Sequence, residues 1–184
     1  SGGLEVASDR LLELIKKGVT VEQVAQVTRN FTESGIMVHA YLMYGYPTQT
    51  IQETVDSLEM VRQLFEVGAL QSGFWHQFAM TAHSPVGMYP EKFGVKKESI
   101  VIGTFANNDI NYTDKTGIDH DLFSYGLKKS LFNCMHGVCF DYARHDWFDF
   151  RIPKTTIPKN LMIDAIEETE DFNIKTSAKV VWLG

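Results

Sequence analysis

Three histidines lie on or just after stretches whose side chains alternate as in β-strands. His39 falls within residues 36–44, His76 falls within residues 70–81, and His83 follows that second stretch. Three imidazoles at strand ends could bind a metal ion, as in barrel-type hydrolases. No carboxylate stands at a matching position in the sequence, so histidines that line a pocket or belong to the core are favoured. A metal-dependent α/β hydrolase remains the alternative.

Cys134, His136 and Cys139 form a second group with metal-ligand chemistry. They fall in a segment of helical spacing, and residues two apart on a helix point in different directions. Buried structural cysteines are therefore favoured over a metal site. The 184-residue chain has only these 2 cysteines, so the sequence predicts no disulfide framework and fits a cytoplasmic compartment best.

Glu5 and the turn Gly45-Tyr46-Pro47 are the other groups that could contact a ligand. Glu5 could accept a hydrogen bond from a hydroxyl or ammonium group, and a solvated carboxylate at a strand end is the alternative. Gly45 lets the backbone approach a ligand closely, although the same residues would also make an ordinary strand-to-helix turn. The C-terminal ends of parallel strands share one edge of a sheet, so the three segments that follow the predicted strands are expected to converge. These segments are residues 5–8, 44–48 and 81–84.

The strand that positions His39 has two different faces. Alternate residues point to opposite sides of a strand. One face is aliphatic and carries Ile36, Val38, Ala40 and Leu42. The other face is mixed and carries Met37, His39, Tyr41 and Met43. The aliphatic face suits burial under helices, as in parallel sheets.

Two helices flank this strand, and each begins at a capping box. The boxes are Thr20-x-x-Gln23 and Thr50-x-x-Glu53, in which the first and last side chains satisfy each other's backbone N–H groups. Both helices have an apolar stripe at helical spacing. The first stripe comprises Val21, Val24, Ala25, Thr28 and Phe31, and the second comprises Ile51, Val55, Leu58, Val61 and Phe65. The polar residues predicted to face away from the core in the second helix are Gln52, Glu53, Asp56, Glu59 and Gln63.

The order strand, helix pair, strand, helix, strand over residues 1–87 predicts an α/β fold with right-handed crossovers and a parallel sheet. Three strands are too few for a closed barrel, which needs about eight. A partial barrel completed by upstream sequence is the economical interpretation, and a small open sheet is the alternative. We therefore expect the chain to be part of a longer protein. Its exposed strand edges should lead it to self-associate, to cover them with its own tail, or to aggregate.

Residues 88–184 have a different character and read as an extension. They predict a loop with a short strand around residues 100–105, a helix over about residues 120–142, a short helix over residues 161–168 and a terminal strand over residues 179–183. The whole chain has a formal charge of -6, with 44% hydrophobic and 22% charged residues. This composition is ordinary for a globular protein and does not favour nucleic acid as a partner. No apolar run approaches the roughly 20 residues that span a membrane.

Three motifs, in order, resemble the radical S-adenosylmethionine (radical SAM) enzymes. Residues 3–12 read Gly-Leu-Glu-Val-Ala-Ser-Asp-Arg-Leu-Leu and are similar to the family's Gly-Leu-Glu-Ser-x-Ser-Asp-Arg-Leu-Leu. Residues 35–50 end in Gly-Tyr-Pro-Thr-Gln-Thr and resemble the family's Gly-Ile stretch that ends in Gly-Phe-Pro-Gly-Glu-Thr. Here Thr48 and Gln49 replace Gly and Glu. Residues 78–87 resemble the sixth-strand region, and residues 88–184 are similar to the extension of cobalamin-binding-type or Fe–S oxidoreductase members.

Membership would imply that residues 1–87 form the second half of a (βα)6 partial TIM barrel, followed by a family-specific C-terminal extension. The family holds a [4Fe–4S] cluster on Cys-x3-Cys-x2-Cys near its first strand. It uses the cluster to cleave S-adenosylmethionine reductively into a 5′-deoxyadenosyl radical. Cys134 and Cys139 cannot reproduce that motif. The resemblance therefore implies that the isolated chain binds no cluster and is inactive without its missing N-terminal half.

The resemblance also implies which residues contact cofactor and substrate. Glu5 and Ser8 would lie near the ribose or amino-acid part of S-adenosylmethionine. The adenine would be flanked by the backbone of the second-strand turn and lined from the sixth strand. These adenine contacts would be Met43, Gly45, Tyr46, Met80 and Ala82. The mixed strand face would line the barrel cavity, which makes His39, Tyr41, His76 and His83 the candidates for contact with a small-molecule substrate.

Two other functions stay open beside the radical SAM hypothesis. One is the metal-dependent hydrolase that would use the strand-end histidines, and replacing those histidines by alanine should then lower the metal content of the purified protein. The other is a non-catalytic binding or assembly module. The upstream sequence of the gene separates the radical SAM hypothesis from both, because that hypothesis requires a Cys-x3-Cys-x2-Cys motif there.

Overall fold

The computed structural model describes residues 2–98 and 108–167 of the chain. The strands are β1 (Gly2–Glu5), β2 (His39–Tyr44), β3 (Ser72–Gln77), β4 (Val95–Lys97) and β5 (Tyr112–Asp114). The α-helices are α1 (Asp9–Leu14), α2 (Val21–Glu33), α3 (Ile51–Glu66), α4 (Pro85–Met88), α5 (Ser124–Met135) and α6 (Leu161–Glu167). Short 3-10 helices cover Pro90–Phe93, His120–Phe123 and Arg144–Trp147.

The first three strands form a parallel sheet in the order β1-β2-β3, and β4 and β5 form a separate antiparallel hairpin. β2 and β3 are in register from His39 opposite Ser72 to Tyr44 opposite Gln77. Helices connect the consecutive parallel strands, which confirms the predicted α/β class. β3 is shorter than predicted because the chain beyond it pairs with the extension instead, where Thr81 bridges Asp109 in antiparallel orientation.

The helices around β2 begin where the sequence predicts. The Thr20 hydroxyl accepts a hydrogen bond from the N–H of Gln23, and the Gln23 side chain accepts one from the N–H of Thr20. Thr50 and Glu53 make the same reciprocal pair. Both predicted capping boxes are confirmed, and Ser8 caps α1 through its hydroxyl.

One face of the sheet is covered by a continuous layer of helices. α5 contacts β3, α3 contacts α5 and α6, and α6 contacts α2. Leu42 and Trp75 are neighbours across β2 and β3 and are fully buried on this face. α5 packs directly on β3 at Gly73, where a Cβ would lie 3.5 Å from Cδ1 of Leu131, an ordinary van der Waals distance. The predicted aliphatic strand face is buried at Val38, Ala40 and Leu42, whereas Ile36 precedes β2 and is exposed.

α3 is buried on both flanks, whereas the sequence predicts a polar flank that faces away from the core. Asp56, Glu59 and Gln63 are at most 9% exposed, so their predicted orientation toward solvent is wrong. Residues 140–162 of the extension run across this flank and supply polar partners. Thr155 and Thr156 bind Asp56, Arg144 pairs with Glu59, and Pro158 and Met162 bind Gln63 through their backbone. Buried polar groups are tolerated when they are paired in this way.

Two other helical predictions differ from the structure. Phe31 of α2 is 47% exposed rather than buried, because its flank of α2 faces a groove at the edge of the sheet. The helix predicted to reach residue 142 ends at Met135, because Gly137 and Cys139 adopt left-handed φ angles of 68° and 61°, which stop a helix.

The remaining predicted elements of the extension divide into one confirmed helix and two untested strands. The short helix near residue 161 is confirmed as α6. The strands predicted around residues 100–105 and 179–183 lie outside the described residues. In the described ranges, no helix has both the length and the apolar character that crossing a membrane requires.

Candidate functional site

Within the described part of the chain, the centre of the sheet face opposite the helices is exposed and carries aromatic and histidine side chains. Tyr41 is 47% exposed, and its neighbour across the sheet, Phe74, is 52% exposed. His39 and His76 lie on the same face, since residues two apart along a strand point the same way. His39 packs edge-on against Tyr41 with ring centroids 5.2 Å apart, and His76 stacks with Phe74 at 6.4 Å. We call these four residues the open-face patch.

Three of the four predicted substrate-contact residues belong to the open-face patch. They are His39, Tyr41 and His76, whereas His83 is exposed in the loop before α4. The Nδ1 atom of His39 lies 2.8 Å from the hydroxyl of Ser72, which orients the ring. The reasoning from sequence missed Phe74, although its two-residue spacing from His76 on a strand would have placed it on the same face.

Glu5 ends β1 in a left-handed backbone conformation, with φ at 60°. Such a conformation costs a non-glycine residue on the order of 1 kcal/mol. The pairing of β1 with β2 shifts register between Gly3 and Glu5, and bulges of this kind redirect a side chain. The Glu5 carboxylate lies over Gly3 and occupies space that the Cβ of a larger residue at position 3 would need. It forms an ion pair with Lys17 Nζ at 3.0 Å. Gly3 and Lys17 thus position the predicted binding carboxylate.

Ser8 lies where the loops after β1 and β2 meet. Its hydroxyl donates to Glu53 Oε1 at 3.1 Å. Arg10 donates to both oxygens of the same carboxylate at 2.7 and 2.8 Å, and to the carbonyl of Thr48 at 3.0 Å. Burial raises the pKa of Glu53, but the hydrogen bonds from Arg10 and Thr50 outweigh it, so the pKa is lowered. Ser8 and Thr48, which belong to the first two predicted strand-end segments, are thus linked through Glu53 and Arg10 rather than to each other.

The turn at Gly45 and Tyr46 is enclosed by the β4–β5 hairpin. Gly45 has a φ of 76°, and its carbonyl accepts a hydrogen bond from the hydroxyl of Tyr112 at 3.2 Å. Tyr46 is buried edge-on against Phe78 at 4.9 Å, and burial raises the pKa of Tyr46 to about 12. Asp114 of β5 accepts a hydrogen bond from the N–H of Thr48 at 2.8 Å. The extension therefore fixes the turn that the resemblance places beside adenine.

The other predicted adenine contacts are buried or half-buried near this turn. Met43 is 8% exposed and stands opposite His76 in the sheet register. Met80 is fully buried, and its carbonyl accepts a hydrogen bond from the N–H of Ile110. Ala82 is half-buried and donates its N–H to the carbonyl of Asn108. Residues 80–82 are thus held by the extension rather than by the parallel sheet.

His120 lies beside the Gly45 turn and follows Asp119, a residue type that is favoured at the N-cap of a helix. Asp119 does cap, by accepting a hydrogen bond from the N–H of Asp121. A Cβ at Gly45 would lie 3.2 Å from the Cβ of His120. Neither ring nitrogen of His120 has a hydrogen-bond partner among the described residues. Burial lowers the pKa of His120, although Asp114 and the two flanking aspartates raise it, so the imidazole is neutral at pH 7.

Within residues 2–98 and 108–167, no three His, Cys, Asp or Glu side chains come together in a metal-binding arrangement. Cys134 is buried in α5, and burial raises the pKa of its thiol to about 11. Cys139 is half-buried and lies 3.7 Å from the side-chain oxygen of Asn133. Both cysteines are free thiols. Cys134 therefore has the buried position that the sequence predicts.

Comparison with known proteins identifies a relative without an assigned function. No family model matches the chain. The uncharacterized protein MK0932 of Methanopyrus kandleri is 32% identical over 69 residues, which are 38% of this chain and 13% of that protein. The match thus spans about an eighth of the relative's length.

Proposed function

We propose that this chain is the C-terminal part of a radical S-adenosylmethionine enzyme, with residues 1–87 as the second half of a (βα)6 partial TIM barrel. The observation that carries the proposal is the sheet. Its three strands are parallel and consecutive, its helices lie on one face, and its other face is open. A half-barrel requires this arrangement, since helices surround a barrel and its interior face is enclosed by the remaining strands.

The open-face patch supports the proposal through its composition. In a completed barrel this face would line the cavity, and the patch would stand beside the substrate. Tyr41 and Phe74 are half-exposed in the described chain, and adjacent exposed aromatic residues are typical of surfaces that bind something. Glu5 and the Gly45 turn lie at the C-terminal ends of β1 and β2 in the same sheet, where parallel α/β sheets place their ligands.

The backbone conformation of Thr48 supports the resemblance to the radical SAM motif. Its φ is 67°, in the left-handed region that glycine adopts without steric cost. The family motif has glycine at this position, so the turn keeps a glycine-like backbone although the residue is threonine. Asp114 and Arg10 hold Thr48 in this conformation, at 2.8 and 3.0 Å from its N–H and carbonyl.

The residues present suit S-adenosylmethionine but not the iron–sulfur cluster. Glu5 would accept hydrogen bonds from the ribose or ammonium group, and Ser8 would lie beside it. The cluster requires three thiolate ligands in the family motif, whereas the sequence contains only Cys134 and Cys139, which are five positions apart. In the proposed enzyme the N-terminal half would hold the cluster, which supplies the electron for reductive cleavage. The residues of this chain would bind the cofactor, orient it and exclude water from the open face.

The test uses the chain joined to the sequence that precedes it in its gene. We expect that sequence to contain Cys-x3-Cys-x2-Cys, and the anaerobically reconstituted protein to form 5′-deoxyadenosine from S-adenosylmethionine after reduction. Glu5→Gln should weaken binding of S-adenosylmethionine about tenfold, or about 1.4 kcal/mol. Glu13→Gln is the matched control, because Glu13 is an exposed glutamate on α1. Circular dichroism verifies that both variants fold.

Two results would refute the proposal. One is an upstream sequence without the three-cysteine motif. The other is a reconstituted protein that carries the cluster but neither binds nor cleaves S-adenosylmethionine. Equal affinities of Glu5→Gln and Glu13→Gln would remove Glu5 from the cofactor site while leaving the family assignment in place.

A further inference from the structure

A pocket lies where the ends of β2 and β3 meet the β4–β5 hairpin and the chain that leads into α5. It has a volume of about 360 Å³, which is comparable to that of small-molecule sites in proteins. Its apolar lining comes from Phe78, Tyr112 and Ile118, which are half-buried. We call it the hairpin pocket.

The hairpin pocket lies on the covered side of the sheet, away from the open-face patch. Gln77 lines it and is two residues from the buried Trp75 on β3, so the two side chains point to the same side. The hydroxyl of the buried Tyr44 donates to Gln77 Oε1 at 3.3 Å. The pocket is therefore separate from the cavity that a completed barrel would enclose, and an inference about it does not rest on the proposed function.

The charged groups that line the hairpin pocket are all carboxylates, those of Asp114, Asp119 and Asp121. Both oxygens of Asp114 accept backbone N–H groups, and one oxygen of Asp119 accepts the N–H of Asp121. The carboxylate of Asp121 accepts no hydrogen bond from the described residues. Lys115 reaches toward Gly94 instead, where a Cβ would lie 3.3 Å from its Cε. The described pocket thus has a negative wall with an unused acceptor.

The ring of His120 gives an independent indication of a ligand. It lines the same pocket, and both of its nitrogens are buried without a hydrogen-bond partner in the described chain. Most buried polar groups are paired, so such a ring calls for an explanation. The neutral imidazole has one donor and one acceptor nitrogen. Rotation about its Cβ–Cγ bond would present the acceptor to the pocket.

We propose that the hairpin pocket binds an organic primary ammonium compound, whose charge pairs with Asp121 and whose apolar part packs on Phe78 and Tyr112. His120 would accept a second hydrogen bond from the ammonium group, which has three N–H donors. The aromatic rings suit this class of ligand, because their faces attract cations. A metal ion suits the pocket less well, since the described His, Cys, Asp and Glu side chains form no group of three that could hold one.

The test uses the 184-residue chain and probes that share one shape but differ in charge. They are phenethylammonium, the neutral phenethyl alcohol and the phenylacetate anion. Binding is measured by NMR titration of the histidine ring signals and by thermal unfolding. Phenethylammonium should bind saturably, shift the ring signals of His120 and raise the unfolding temperature. Phenethyl alcohol should bind roughly tenfold more weakly, because it lacks the charge-assisted hydrogen bond.

Variants assign the binding to the named side chains. Asp121→Asn keeps the shape of the side chain and removes its charge, so it should weaken phenethylammonium binding roughly tenfold. The matched control is Asp164→Asn, because Asp164 is an exposed aspartate on α6, away from the pocket. It should change the affinity less than about twofold. His120→Leu should weaken binding about fivefold, as expected for loss of one hydrogen bond. Circular dichroism verifies that each variant folds.

Four results would overturn the inference. The first is equal affinity for phenethylammonium and phenethyl alcohol, and the second is tighter binding of phenylacetate. The third is an affinity for phenethylammonium that Asp121→Asn leaves unchanged. The fourth is displacement of phenethylammonium by Mg²⁺ that itself requires Asp121, which would assign the pocket to a metal ion. Cleavage of S-adenosylmethionine is measured separately, so the proposed function stands or falls independently of these results.

Discussion

The two faces of the parallel sheet are formed by alternating residues of the same strands, but one face is buried and the other is exposed. Leu42 and Trp75 stand side by side on the covered face and are 0% and 1% exposed. Tyr41 and Phe74 stand side by side on the open face and are 47% and 52% exposed. Each pair is one residue from the other along its strand, so local strand propensity is shared. What packs on the sheet, rather than which residues form the strand, therefore decides which side chains are buried.

Substitutions in β3 should separate the two faces most clearly. Trp75→Ala should lower the free energy of unfolding by about 3–5 kcal/mol, because it removes a fully buried indole. Phe74→Ala should cost less than about 1 kcal/mol, because half of that side chain is already in water. Urea unfolding measures both. Equal costs would mean that the open face is covered in solution.

A milder substitution sharpens this result. The Nε1 atom of Trp75 has no hydrogen-bond partner among the described residues. Trp75→Phe removes that unpaired group and keeps most of the apolar surface. We expect it to cost less than half as much as Trp75→Ala, since unpaired buried N–H groups are themselves destabilising.

Substitution of Glu59 tests how much the extension stabilises the polar flank of α3 that it covers. Glu59→Ala leaves Arg62 and Arg144 without their shared carboxylate and should cost about 3 kcal/mol. Glu66→Ala is the control, because Glu66 is 49% exposed and pairs with Arg62, so it should cost less than about 1 kcal/mol.

The pH dependence of Glu59 gives a second measurement. Burial raises the pKa of Glu59, but hydrogen bonds from Arg144, Arg62 and Gln63 outweigh it, so the folded-state pKa is lowered. The stabilisation is therefore complete above the ordinary carboxyl pKa and is lost as the pH falls below it. Wild type and Glu59→Ala should therefore approach each other in unfolding free energy as the pH falls below about 4.5. Parallel curves would contradict this.

Substitutions in the turn after β2 test whether its left-handed backbone conformations are needed where the sheet contacts the extension. Gly45→Ala should cost about 1–2 kcal/mol, because φ is 76° and the new Cβ would lie 3.2 Å from His120. Thr48→Gly relieves a similar conformation, but glycine is freer in the unfolded chain. Its net effect should stay within about 1 kcal/mol. Thermal unfolding measures the stability of the two variants. If Gly45→Ala lowered stability no more than Thr48→Gly, the turn would not require a glycine at position 45.

His120 is the smallest test, because it concerns one unsatisfied ring beside the Gly45 turn. His120→Leu should raise the free energy of unfolding by about 1 kcal/mol at pH 7.5, since both ring nitrogens lack partners in the described structure. The lowered pKa of His120 favours the neutral ring in the folded state. Wild type should therefore lose stability as the pH falls below about 6.5, and the leucine variant should lack this loss. Urea unfolding at pH 7.5 and 5.5 measures the difference.

The sequence predicts those features that depend on neighbouring residues. It does not predict the burial of side chains whose partners are distant in the chain. The two capping boxes and the alternation of β2 need only neighbouring residues, and both are present. The helical period of α2 identifies Phe31 as apolar but cannot tell which flank of the helix has a neighbour. Glu59 reads as a solvent-facing residue because its partner Arg144 is 85 residues away. Asp114 and Thr48 are 66 residues apart, and no motif joins them.

The polar flank of α3 also has a consequence for synthesis. Asp56 and Gln63 accept hydrogen bonds from the N–H groups of Thr156 and Met162, which lie 100 and 99 residues further along the chain. A ribosome adds roughly 5–20 residues per second, so this helix waits several seconds for the segment that covers it. Until that segment arrives, the carboxylates of this flank face water, and charged side chains oppose aggregation of exposed apolar segments. The side chains that are finally buried are therefore expected to keep this flank hydrated during synthesis.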